Sequence, residues 1–172
     1  MDSVAYCTVP PIGWSCSRSP GHTGPCAATK EEFQSSLDLV HYPPRVYVGA
    51  SLHNAAKAKK VINRLIEAGV EITYDWTCHT PGTVIGAEEL ARIGVLEADG
   101  VRDCDLFFMV QPGRNGTHVE LGIAIALHKP VIILHEADVE MEPKTFYYLQ
   151  NIITHTSEDE AFNNVMAILR NR

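Results

Sequence analysis

No apolar run in this sequence approaches the ~18–20 residues that a membrane-spanning helix requires, which predicts a soluble chain without a membrane partner. The opening Met1-Asp2-Ser3-Val4-Ala5-Tyr6 lacks both the basic start and the apolar stretch of a secretory signal, so a cytoplasmic location is expected. Basic residues are in the minority, 14 Lys and Arg against 21 Asp and Glu, and the formal charge is −7. Binding to nucleic acid through displaced counterions needs clustered Lys and Arg, so that class is excluded and small-molecule partners are expected. Five cysteines, an odd number without an export signal, do not form a disulfide framework; free thiols or a metal site are the alternatives.

What is present divides at residue 44. Residues 1–44 carry Pro10, Pro11, Gly13, Pro20, Gly21, Gly24, Pro25, Pro43 and Pro44, which interrupt any regular helix or strand and predict a small irregular appendage. Residues 45–172 are long enough for one domain and alternate short apolar runs with helical stretches, the rhythm of βαβ units. Val46-Tyr47-Val48 is a first strand, followed by a helix that stops at Gly69. Val70 to Asp75 alternates apolar and polar residues, as an edge strand does. A helix follows over roughly Gly86 to Arg102. The continuous runs Leu106–Val110 and Val131–Leu134 fit central parallel strands, with a helix from Thr117 to His128 between them. A short strand near Ile152-Ile153 and a helix capped by Ser157 and Glu160 complete the chain. The fold class expected is α/β: a doubly wound, five-stranded parallel sheet of order 2-1-3-4-5. Ligands of such sheets bind beyond the carboxyl ends of the strands at the switch point, where Gly49–Asn54, Asp75–Thr80 and Gln111–Glu120 meet.

Gly113, Arg114 and Gly116 precede a helix start in the last of these loops. Glycine lets backbone approach a ligand, helix amides favour an anion, and Arg114 adds a fork of donors, so a phosphate fits. Thr117 and Glu120 also have the T-x-x-E spacing of a capping box, in which Glu120 would only bond the backbone of Thr117.

The stretch Gly113-Arg114-Asn115-Gly116-Thr117-His118-Val119-Glu120-Leu121-Gly122, continuing to Lys129-Pro130-Val131, resembles the signature of the nucleoside 2-deoxyribosyltransferase-like family. The resemblance extends to Ala98-Asp99-Gly100-Val101-Arg102-Asp103-Cys104-Asp105-Leu106 and to Val46-Tyr47-Val48-Gly49-Ala50-Ser51. It implies that Glu120 is a nucleophile attacking the anomeric carbon of a nucleoside or nucleoside 5′-monophosphate, by hydrolysis or sugar transfer, without a catalytic cofactor. A carboxylate suits an oxocarbenium-like transition state, and a second acid must protonate the leaving base. Asp99 is the candidate acid, and an alignment shifted by two residues selects Glu97. Asp105 reads as structural. His128 stands where the family usually ends its helix with glycine. A homo-oligomer is the expected state.

Other candidates have bland counterparts. Gly49 is a substrate-binding candidate, and Ser51, His53 and Asn54 after the first strand can bind phosphate or a sugar hydroxyl, although Ser51 or Asn54 also suits a helix cap. Asp75 and Trp76 can hold a base, or Trp76 can be a packing lid. His118 faces another side of its helix and is a lesser binding candidate. Cys7, Cys16, His22 and Cys26 offer four ligands to a structural zinc, in a stretch that looks like a short module appended to phage-encoded proteins; free thiols in a leader are the alternative. Two rival functions stay open: a non-catalytic nucleotide-binding module, and a phosphoribohydrolase or NAD-cleaving enzyme with a similar Pro112–Thr117 loop.

Overall fold

The computed structural model describes residues 14–16, 28–30, 43–78, 86–137 and 145–171. The chain forms two compact units, Met1–Tyr42 and Pro43–Arg172. In the first, strands β1 (Trp14–Cys16) and β2 (Ala28–Lys30) pair antiparallel. Cys7, His22 and Cys26 lie outside the described residues and Cys16 is described only as backbone, so the zinc expectation falls outside what the structure describes. Among the described residues, no group of three His, Cys, Asp or Glu side chains can hold a metal ion. Nor is any described helix long and apolar enough to cross a membrane.

The second unit is a five-stranded, all-parallel sheet of strands β3 (Arg45–Ala50), β4 (Glu71–Ile72), β5 (Leu106–Val110), β6 (Val131–Leu134) and β7 (Ile152–His155). Their order is β4-β3-β5-β6-β7, which is 2-1-3-4-5 counted within the unit. The sequence reason is direct: β5 and β6 are apolar at every position and buried on both faces, as central strands must be. Helix α1 (Ala55–Glu67) buries Ala58, Val61, Ile62 and Leu65, one side of a helix at 3.6-residue spacing. It shares a face of the sheet with α4 (Glu158–Arg170), where Arg64 reaches Asp159 at 2.7 Å and lies 4.1 Å over the Phe162 ring. On the other face, α2 (Ala87–Asp103) and α3 (Asn115–Ala126) pack against each other and onto the central strands.

Three local expectations need correction. β4 has two residues rather than six, because the backbone leaves the sheet after Ile72 and turns through Trp76–Cys78 in a 3-10 helix. Helix α3 starts at Asn115, two residues before Thr117, with Arg114 at its N-cap and no side-chain cap hydrogen bond. The Thr117–Glu120 capping box therefore does not form, since Thr117 is already inside the helix and Glu120 turns inward. Neither Ser51 nor Asn54 caps α1 through its side chain; the Asn54 amide instead donates to the Pro112 carbonyl at 3.1 Å, tying the loop after β3 to the loop after β5. The expected cap of α4 does form, with Ser157 Oγ accepting from the Glu160 amide. Asp105 is structural, accepting the Arg45 amide at 2.8 Å where the two central strands begin.

Candidate active site

The strand order gathers three loops at the carboxyl edge of the sheet, and an open pocket of about 440 Å³ lies among them. After β3 it takes Ser51 and His53, after β4 Trp76, and from the start of α3 Arg114, Gly116, Thr117 and Glu120. Helix α2 closes the remaining side with Leu90, Ile93, Gly94 and Glu97. Residues 90, 93, 94 and 97 recur at three- and four-residue spacing, so they form one face of that helix.

Glu120 is 8% exposed, a buried carboxyl at the pocket wall. Its Oε1 accepts a 2.7 Å hydrogen bond from the Tyr47 hydroxyl, while its Oε2 has no partner among the described residues. Burial pushes the Glu120 carboxyl up to about 8, because a desolvated charge is costly; the Tyr47 hydrogen bond pulls the other way and the nearby Glu97 charge adds to the rise. Burial likewise drives the Tyr47 phenol well above its ordinary value, with Glu120 adding to the shift, so Tyr47 remains a donor. The Tyr47 ring is stacked on Phe107, centroids 5.8 Å apart, which fixes the hydroxyl. Gly49 leaves the space that the carboxyl occupies: a Cβ there would lie 2.7 Å from Glu120 Oε2 and 2.8 Å from the Phe107 ring.

The other predicted residues divide. Ser51, Trp76, Arg114 and Gly116 line the pocket with Glu120, as does Glu97. Trp76 is buried and donates from its indole N–H to the Val48 carbonyl at 2.7 Å, so its ring is a fixed wall. Gly49 underlies the site. Asp99 does not line the pocket: it is exposed on α2, paired with Arg102 at 2.6 Å. Asp75 bonds Lys59 and Thr77 at the end of the strand region and stands outside the pocket lining. Gly113 lies behind the loop, where a Cβ would collide with the Met109 side chain. His118 also points away from the lining, toward Tyr147. Sequence reading missed Tyr47 as a site residue. The available signal was a phenol in a doubly covered strand, since a buried Tyr hydroxyl requires a partner.

A carboxyl group in the wall of a pocket, a second carboxyl on the neighbouring helix α2, and a helix N-terminus with an arginine at its rim can together, once the first is ionised, attack a carbon, protonate a leaving group and hold an anion.

The family model described as "Nucleoside 2-deoxyribosyltransferase" matches residues 46–166. Among solved structures, a Clostridium botulinum CMP N-glycosidase, BcmB, is similar at 24% identity over 71% of this chain and 98% of that one, with a TM-score of 0.48. The solution structure of BlsM is similar at 19% identity over 75% of this chain and 91% of that one, with a TM-score of 0.50. A conserved protein from Enterococcus faecalis V583 shares 10% identity over 76% and 89% of the two chains, with a TM-score of 0.44. No curated protein matches the sequence.

Proposed function

The chain belongs to the nucleoside 2-deoxyribosyltransferase family, whose chemistry is cleavage or transfer at an N-glycosidic bond, and we propose that Glu120 is its nucleophile and a nucleoside 5′-monophosphate its substrate. One observation carries the reading: Glu120 Oε2 is buried without a hydrogen-bond partner among the described residues, in the wall of a pocket at the switch point of the sheet. A buried polar atom left unpaired costs about 1–3 kcal/mol, so its retention fits a group kept for a ligand.

In the proposed reaction Glu120 attacks the anomeric carbon. The N-glycosidic bond breaks with its electron pair going to the base, and the base takes a proton from an acid in the pocket. Water or an acceptor base then gives a proton back to that acid's conjugate base and attacks the anomeric carbon of the glycosyl ester, and the bond to Glu120 breaks with its electron pair returning to the carboxylate. Glu97 is the acid we propose in place of Asp99, because it lines the pocket and Asp99 is turned to solvent beside Arg102. Trp76, Leu90 and Ile93 offer an apolar wall to the base, while the free amides at the start of α3 and Arg114 suit the phosphate.

The test is incubation with a panel of nucleosides and their 5′-monophosphates, followed by chromatography for free base. Base is expected from monophosphates, with Glu120→Gln lowering turnover by several orders of magnitude, roughly as loss of a nucleophile does in other covalent enzymes. Near-normal turnover in that variant would sink the assignment.

A further inference from the structure

Behind the loop that caps the pocket, a chain of side-chain hydrogen bonds begins on one loop residue and returns to the next. The Gly113 amide donates to Gln111 Oε1 at 2.9 Å. Gln111 Nε2 donates to the Tyr147 hydroxyl at 2.6 Å, and that oxygen is 2.7 Å from His118 Nε2. His118 Nδ1 lies 2.8 Å from the Arg114 carbonyl. A carbonyl only accepts, so Nδ1 carries the proton; in the neutral ring Nε2 is then the acceptor and the Tyr147 O–H donates to it. Every donor in the chain points the same way, from Gly113 to Arg114. The His118 and Tyr147 rings are nearly parallel, at 17°, with centroids 6.0 Å apart. Tyr147 is 3% exposed and lies 29 residues beyond His118, on the 3-10 turn Thr145–Tyr148 that precedes β7.

We propose that Tyr147 is a positioning residue that holds the loop at the Gly113 amide and the Arg114 carbonyl, through Gln111 and His118, in the orientation that presents the start of α3 to the substrate's 5′-phosphate. The proposal rests on the monophosphate reading above for its ligand. Its physical basis is peptide planarity: the Arg114 carbonyl accepts the helical bond from the His118 backbone amide at 3.0 Å and a second from the His118 ring, so the N–H of the same trans peptide, on Asn115, faces the opposite way, out of the helix start, and the ring adds to what the helix alone provides. Arg114, Gly116 and Thr117 line the pocket at that point, whereas Gln111, His118 and Tyr147 do not. The relay therefore acts through the loop.

Tyr147→Phe removes one oxygen and keeps the stacked ring. In the full-length wild type, proton–nitrogen correlation spectra should show the His118 proton on Nδ1. In the variant, amide exchange at Gly113 should rise about tenfold, the change expected when a hydrogen bond of ordinary net worth is lost. Calorimetry with 2-deoxyribose 5-phosphate and ribose 5-phosphate, each against the unphosphorylated sugar, should show the preference for phosphate falling by about the same factor. Gln111→Met should reproduce both losses, and the double variant should lose little more, because the two residues act in one chain. Unchanged exchange and an unchanged preference in Tyr147→Phe, or an equal weakening of both sugar forms, would overturn the proposal, as would full additivity in the double variant. A wild type that binds plain and phosphorylated sugars equally would overturn the monophosphate reading itself, and that result appears before any variant is made.

Discussion

Glu120 is held where its charge is disfavoured, and the consequences are measurable without knowing the substrate. Its folded value is raised to about 8 by burial, against an ordinary 4.5. Folding therefore retains a proton that the unfolded chain loses, so the stabilisation present below about 4.5 disappears as pH rises through about 8. Glu120→Gln cannot ionise and escapes this loss. Its thermal stability should match wild type near pH 5 and exceed it near pH 9 by about 1–3 kcal/mol, the scale of an unsatisfied buried polar group. Denaturation at several pH values checks the sign, and a variant less stable than wild type at pH 9 would contradict it. The same shift predicts an activity profile. A carboxylate nucleophile works only when ionised and its partner acid only when protonated, so kcat/KM of wild type should follow a bell whose limb set by Glu120 has its midpoint near 8. Tyr47→Phe removes the hydrogen bond that lowers the Glu120 value, so that midpoint should move upward. Gly49 gives a steric counterpart. An added methyl at Gly49 would press on both Glu120 Oε2 and Phe107, and the carboxyl is the group with a pocket to move into. Gly49→Ala should cost ~1–3 kcal/mol of stability through overpacking, and turnover should fall by about 10²-fold, the scale of an ångström-sized misplacement. Activity and melting measured on one preparation separate the two losses.

At the scale of elements, helix ends were legible where a backbone conformation demanded a residue type. Gly69, with φ of 83°, ends α1: its amide reaches the Ile66 carbonyl and the Val70 amide reaches Leu65. The end of α3 has the same pair of bonds, His128 to Ile125 and Lys129 to Ala124, yet His128 holds the left-handed position at φ 53°. A side chain there is strained by roughly 1–2 kcal/mol and glycine is not, although glycine loses more freedom on folding. His128→Gly should thus stabilise the fold by about 0.5–1 kcal/mol and leave activity unchanged, since residue 128 lies at the far end of α3 from the site; chemical denaturation and an assay check both parts. The start of α3 was not legible in the same way. The T-x-x-E spacing is a local pattern, whereas the actual partner of Glu120 is Tyr47, 73 residues earlier, and a contact of that range leaves no mark in a short window. Which of Asp99 and Glu97 faces the pocket was open to periodicity. Ile93, Glu97 and Gly100 share a face of α2, and Gly100 is fixed there because a Cβ would strike Tyr47 and Tyr74; Asp99, two residues from Glu97, is rotated away. The edge strand was overestimated because alternation continues through Tyr74, but the Trp76 indole must reach Val48 beneath the pocket, and the chain leaves the sheet to allow it.

Taken whole, the molecule confines the candidate chemistry to one of its two units. Every residue assigned a part in the proposed reaction, from Tyr47 to Glu120, belongs to Pro43–Arg172, and so does every strand of the parallel sheet. That order was readable from the sequence because two doubly buried runs mark the centre and one amphipathic strand marks an edge, leaving few right-handed arrangements. The first unit was readable only as a break in pattern, since proline and glycine identify what a segment cannot form rather than what it forms. A core independent of the first unit should fold without it. β3 is paired on both sides within the second unit, to β4 and β5, and the Pro44 carbonyl accepts the Glu71 amide at 2.9 Å, so the cut must fall before Pro43. Deletion of residues 1–42 is accordingly expected to leave a cooperative unfolding transition and base release comparable with that of the full chain, since a compact unit with its own core can fold alone. The assay should be run beside calorimetric unfolding of the same material. A deletion product that unfolds cooperatively and releases no base would show that the first unit takes part in the reaction, because loss of the fold would already have been excluded by the calorimetry.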